Sequence, residues 1–211
     1  MAYEDIDLVT IPIKPYLVDG NRLLEWLGRA SKHIGDWHKT RPEYWDWDET
    51  EPPADYPRSL VYHIDKLTYH NYIIWHQEDR CRTKDQAAIV VSKPIIDKHN
   101  QARNDEIEAI DDLIIANEQP KFAVAPYNSE TLGSLVDRCI VTRLKLYHLV
   151  ELDPTGVKHL PRLNLLLEQN QFLGMAAAQL LDQIRSGERF IKVFRQLKMY
   201  NSPDTNPHYN L

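Results

Sequence analysis

Asn71, Trp75, Glu78 and Arg82 follow one another at spacings of three and four residues, and the same spacing links Asn100, Arg103, Asn104, Glu108 and Asp111. Residues so spaced lie on one side of an α-helix, so each set draws amides, carboxylates and guanidinium groups into a line. A third stretch places Asp137 and His148 on one face with Lys145 beside them, and the C-terminal region adds Arg195 and Lys198. Guanidinium groups match the oxygens of phosphate or carboxylate in a two-pronged fork. Clustered carboxylates suit Mg²⁺ held together with substrate phosphates. If the three stretches converge, Glu78, Asp111, Asp137 and His148 are the candidate catalytic groups. Asn71, Trp75, Arg82, Asn100, Arg103, Asn104, Lys145, Arg195 and Lys198 are then the candidate substrate contacts, and Glu78, Glu108 and Asp111 the candidate ligands of a metal. The plain alternative is a network of buried ion pairs that neutralises itself, specifies packing and binds nothing.

The elements that must carry these residues are helices. Leu60, Ile64 and Leu67 begin an apolar stripe that Asn71, Glu78 and Arg82 continue, within one helix from Ser59 to Arg82. An unpaired polar group on a core face costs about 1 to 3 kcal/mol, so that change of character implies a buried polar site. Asp19 can cap an earlier helix reaching about Trp37. A third helix runs from near Asp85 to about Asn117, kinked or divided at Pro94. A fourth, capped by Ser129 or Thr131 and ending near Glu151, is apolar nearly all round and therefore central. A fifth ends at Gly187. Residues 188–200 form either a short helix or an extended arm. The expected fold is an all-α, single-domain bundle of five or six helices spanning residues 19–200. Its polar central cavity lies between the second, third and fourth helices, closed by residues 195–201. Residues 1–18 form an irregular arm and 201–211 an irregular tail. The acidic, Trp- and Pro-rich loop at 39–57 is pinned to the bundle by Trp45 and Trp47 or acts as a lid over the site.

Composition narrows the chemistry further. The 211 residues carry a net charge of −6, from 31 acidic and 25 basic side chains with no basic tract, which argues against a nucleic-acid partner. No apolar run approaches the roughly 20 residues of a membrane span, and the acidic, proline-interrupted start does not read as a signal peptide. A cytoplasmic protein with no membrane partner follows. Cys81 and Cys139 lie inside expected helices and read as packing thiols. With 7 glycines, no GxGxxG and no GxxxxGK[ST], a glycine-rich nucleotide loop is unsupported. No haem, flavin, NAD or iron–sulfur signature is present. The absence of any Glu-x-x-His excludes the usual di-iron carboxylate pattern. His63 and His70 sit on the flank of the polar stripe. His76 points nearly opposite to Asn71, which gives it a solvent-facing or interface role. Assembly into a homo-oligomer stays open.

Two resemblances add to this reading. Asp105-x-x-Glu108-x-x-Asp111, with Glu78 and Asp79 before it, resembles the ExxE and ExxD carboxylates of the all-α nucleoside triphosphate pyrophosphatases, which hold Mg²⁺. More extensively, HNYIIWHQEDRCR at 70–82, IDKHNQARNDEIEAID at 96–111, NSETLGSLVDRCIVTRLKLYH at 128–148 and FRQLKMYNSPDTNP at 194–207 together resemble the bacterial domain of unknown function family 4254. That similarity runs over residues 20–207. It implies no particular reaction. Its recurring polar positions fall on Asn71, Trp75, His76, Glu78, Asp79, Arg82, Asn100, Arg103, Asn104, Asp105, Glu108, Asp111, Asp137, Arg138, Lys145, His148, Arg195, Lys198 and Asn201. The resulting expectation is an enzyme acting on a small anionic metabolite, phosphate- or carboxylate-bearing, in a buried polar site. A non-catalytic helical interaction protein and a Mg²⁺-dependent nucleotide pyrophosphohydrolase are the competing readings.

Overall fold

A computed structural model describes residues 18–41, 44–47, 51–121 and 124–195. Among them are five helices: α1 (Gly20–Thr40), α2 (Tyr56–Cys81), α3 (Gln86–Asn117), α4 (Leu132–Leu152) and α5 (Leu160–Ser186). Their ends are chemically marked. The side chains of Asp19, Asp85 and Thr131 accept hydrogen bonds from the backbone N–H groups of Arg22, Ala87 and Ser134, which the first turns of α1, α3 and α4 leave unpaired. Gly187 ends α5 with φ of 76°, a left-handed conformation that glycine adopts without steric cost. Pro57 lies in the first turn of α2, where its missing N–H removes no helical bond. Pro94 neither divides nor ends α3, which remains one helix of 32 residues.

The helices pack around one core to which all five contribute, with Leu27, Leu60, Leu67, Ile110, Val136, Ile140 and Ile184 among its buried side chains. The most enclosed element is α2. Every residue from Leu67 to Ile73 is buried, so this segment has no solvent face. The fourth helix is central as expected, since α4 packs against each of the other four. The first half of α4 is buried, but from Lys145 onward its residues are half-buried or exposed. Trp45 and Trp47 fasten the loop before α2. Trp45 packs edge-on to Tyr69 and Tyr72, each with ring centroids 5.2 Å away, and its carbonyl accepts the Tyr69 hydroxyl at 2.6 Å.

After Gly187 the chain is extended rather than helical as far as residue 195. Phe190 forms an isolated parallel bridge with Tyr127 in the α3–α4 connector. Its N–H donates to the Pro126 carbonyl at 3.1 Å, and its own carbonyl accepts the Asn128 N–H at 2.7 Å. The Ile191 N–H reaches Gln119 Oε1 at 2.9 Å. Of the expected N-terminal arm only Val18 is described, buried in the core, and the rest of it, the C-terminal tail, Lys198 and the closing segment past residue 195 lie outside the described residues.

Candidate functional site

The polar stripes of α2, α3 and α4 meet. Asn71 on α2 donates through Nδ2 to Asp137 Oδ1 on α4 at 2.8 Å and to the Leu67 carbonyl at 3.1 Å. From α3, Arg103 Nε donates to Asp137 Oδ1 at 2.7 Å, and Arg103 Nη2 donates to Oδ2, closing a two-pronged pair. Asp137 is 4% exposed, so its charge depends on these partners. The bond to Asp137 raises the pKa of Arg103 above its ordinary value. The carboxylate thus consumes the guanidinium charge that was expected to face a substrate.

Several other expected site residues turn elsewhere. Arg82 follows the last residue of α2 and lies exposed, its Nη1 paired with Asp79 Oδ1 at 2.5 Å. The helical line that turned it inward ends one residue too early. Asp111 is buried, but its Oδ1 accepts the Gly133 N–H at 2.7 Å in the first turn of α4. Burial lifts its carboxyl to about 6, against the hydrogen bonds from Thr131 and Gly133. Arg195 spans Glu108 at 2.7 Å and Asp112 at 2.6 Å. Lys145 is exposed, while Glu78, Asn100 and Asn104 are half-buried. Glu78, Glu108 and Asp111 therefore do not gather as a metal site. One of these carboxylates caps a helix and another neutralises an arginine.

The described residues do contain one group of three metal-capable side chains, and it is made of imidazoles. His38 in the last turn of α1, His76 on α2 and His148 on α4 each offer one nitrogen, all within 4.8 Å of one another. His76 was expected to face solvent or an interface because it lies opposite Asn71. That face of α2 is instead covered by α1 and α4. His38 Nδ1 lies 2.6 Å from the Ile34 carbonyl. A carbonyl only accepts, so Nδ1 carries the proton and His38 Nε2 is left with its lone pair. That Nε2 lies 3.2 Å from His148 Nε2. His76 Nε2 is buried with no hydrogen-bond partner. Rings hold the cluster in place: Tyr147 stacks on His38 with centroids 4.0 Å apart, and Trp75 lies parallel to His148 at 4.8 Å. Desolvation, reinforced by neighbouring His38, depresses His76 to about 4 and lowers His148. The charges of Asp79 and Glu151 act the other way on His148, favouring positive charge there.

Next to this cluster lies a cavity of about 520 Å³ between α1, α4 and α5. Ile34, Leu146, Val150, Leu163 and Leu167 give it apolar walls, and Ser31, Arg143, Tyr147, Glu151 and Asn170 its polar ones. Tyr147 and Glu151 belong to both sites, since Glu151 Oε2 lies 3.6 Å from His148 Nδ1. Arg143 is half-buried, and its Nη1 donates to the Cys139 carbonyl at 3.2 Å. Burial lowers its pKa, and among the described residues no carboxylate pairs with it. Asn170 Oδ1 is buried without a partner. His38, Arg143, Tyr147, Glu151 and Asn170 were not foreseen as site residues. The one signal available was that Arg143 interrupts an otherwise apolar helix.

Fold and site define an all-α bundle with a closed acid–arginine–amide network at its centre and a three-imidazole cluster beside an apolar cavity. The chain belongs to the family described as Protein of unknown function (DUF4254), whose model matches residues 61–193. His76, Asp137, Arg143 and His148 fall inside the matched region and His38 outside it. Among curated proteins and among solved structures, none matches the chain.

Proposed function

We propose that the protein is an enzyme acting on a small anionic metabolite that carries an apolar body, bound in the cavity between α1, α4 and α5. The observation that carries this reading is Arg143, a partly desolvated guanidinium with no carboxylate partner among the described residues, at the wall of an otherwise largely apolar cavity. A buried cation of this kind gains most from an anion brought to it. The volume falls in the range of small-molecule sites, about 300 to 1,000 Å³. A carboxylate or phosphate would meet the Arg143 fork, and the apolar body would lie along Leu146, Val150 and Leu163. The reacting end would then face Tyr147 and Glu151, which border the imidazoles. The reading carries with it a soluble, cytoplasmic setting. No helix among the described residues is long and apolar enough to cross a membrane.

The test is a thermal-shift panel of short-chain carboxylates, dicarboxylates and phosphate monoesters on the wild-type protein and on Arg143→Gln. The expected result is stabilisation of the wild type by several degrees with one ligand class, lost in the variant. Silence across the panel, or a shift that survives Arg143→Gln, overturns it.

A non-catalytic helical interaction protein is the second reading. It is favoured by the closure of the Asn71–Arg103–Asp137 network, which leaves no charge for a ligand, and by exposed Leu165, Phe172 and Met175 on α5. The Mg²⁺-dependent pyrophosphohydrolase reading is not carried forward, because Glu108 and Asp111 are engaged with different partners.

A further inference from the structure

We propose that His38, His76 and His148 form a binding site for a divalent d-block cation, Zn²⁺ first among them, with one ring nitrogen from each and a fourth position open to solvent or substrate. This goes beyond the anion-binding reading and stands or falls independently of it.

The argument begins with lone pairs. The Ile34 carbonyl fixes the proton of His38 on Nδ1, so its Nε2 points outward as an acceptor. Glu151 lies on the Nδ1 side of His148, and a carboxylate there favours an Nδ1–H, leaving His148 Nε2 in the same state. Two imidazole lone pairs facing each other at 3.2 Å repel unless something positive lies between them. His76 brings a third ring nitrogen within 4.8 Å, and its Nε2 is buried without a hydrogen-bond partner.

The spacing agrees with this. Two nitrogens bound to zinc at about 2.0 to 2.1 Å in tetrahedral geometry lie roughly 3.3 Å apart. The His38–His148 separation already matches, and all three nitrogens fall within 4.8 Å. Binding would draw the wider edge in to about 3.3 Å. The carboxylates of Asp79 and Glu151 supply negative charge nearby.

Ligand chemistry selects the class of ion. Three imidazoles with no thiolate suit zinc and its d-block neighbours, whereas Mg²⁺ and Ca²⁺ require oxygen donors. Three protein ligands with one vacant position is also how catalytic zinc is held; structural zinc takes four. All three rings are half-buried.

The decisive experiment uses the full chain stripped with chelator and titrated with Zn²⁺ and with Co²⁺. The expected result is one equivalent bound, a raised thermal midpoint and the visible ligand-field bands of tetrahedral Co²⁺. His76→Gln and His148→Gln, each checked for native helicity by circular dichroism, should weaken binding by more than the roughly 10- to 100-fold that an outer partner contributes, and Glu151→Gln by about 10-fold. His63→Ala, outside the cluster, should bind as the wild type does. Absence of Zn²⁺ and Co²⁺ binding by the folded wild type overturns the proposal, as does binding that survives both glutamine variants. So does a ¹⁵N spectrum showing a protonated His148 Nε2 that zinc does not displace, since the cluster would then be a hydrogen-bonded imidazole pair. Each readout is independent of the Arg143 anion test.

Discussion

Removing the Asp137 carboxylate should destabilise this bundle about as much as truncating a buried leucine does, about 2 to 5 kcal/mol. In Asp137→Ala, Arg103 loses both prongs of its pair and Asn71 keeps only the Leu67 carbonyl. Stranding a buried charge costs about 3 to 5 kcal/mol, and losing a hydrogen bond to a charged acceptor about 1.5 to 3 kcal/mol. The Arg103 side chain retains 30% exposure, so water recovers part of its loss. The net expectation is about 3 to 4 kcal/mol. Urea unfolding followed by circular dichroism reads it directly: with a slope of about 2 kcal/mol per molar, the midpoint falls by about 1.5 to 2 M. The triple replacement Asn71→Leu, Arg103→Met, Asp137→Leu removes every partner at once and should recover to within about 1 kcal/mol of wild type. A midpoint shift under about 0.5 M in Asp137→Ala would refute the reasoning, because the carboxylate would then be solvated rather than locked between three helices.

Two further predictions concern the junction of α3 and α4. The Asp111 carboxyl, raised by burial from 3.8 to about 6, binds its proton more tightly folded than unfolded. Its contribution to stability is therefore complete below about pH 4 and is lost as pH rises through about 6, at most about 3 kcal/mol. Asp111→Asn, which can still accept the Gly133 N–H, should remove that component, so variant and wild type should diverge between unfolding measurements at pH 4.5 and pH 7.5. Equal pH dependence in the two proteins would count against it. At Gly133, an added Cβ would collide with the Ile107 carbonyl oxygen and lie 3.1 Å from Asp111 Oδ1. The first of these is backbone, so Gly133→Ala must part α3 from α4. A loss of about 1 to 3 kcal/mol in chemical denaturation is expected, and a neutral outcome would contradict the close approach.

Much of the fold could be read from local chemistry. Asp19, Asp85, Thr131 and Gly187 mark helix ends through bonds to residues two to four positions away, and such bonds are visible in a single sequence. The meeting of Asn71, Arg103 and Asp137 could be anticipated because each interrupts an apolar stripe. What each carboxylate would pair with could not. Asp111 and Glu108 differ by three residues on one helix, yet one caps α4 and the other meets Arg195. The imidazole cluster was hidden for a different reason. A helical wheel assigns one interior face, but α2 is covered on two sides, so the side of His76 that reads as solvent is a second interior. His38 and His148 join it only through the relative rotation of α1 and α4, which no spacing within a helix encodes.

The bridge between Phe190 and Tyr127 has a consequence for the order of events along the chain. It fastens the segment after α5 to the α3–α4 connector by two backbone hydrogen bonds and one from the Ile191 N–H to Gln119 Oε1, with the Ile191 side chain seated at the end of the core. Such a clasp forms only once the helices it joins have assembled, and it gives way before they do. Amide exchange should therefore be faster at Phe190 and Ile191 than anywhere between Leu67 and Ile73, so that the clasp opens while the middle of α2 is still closed.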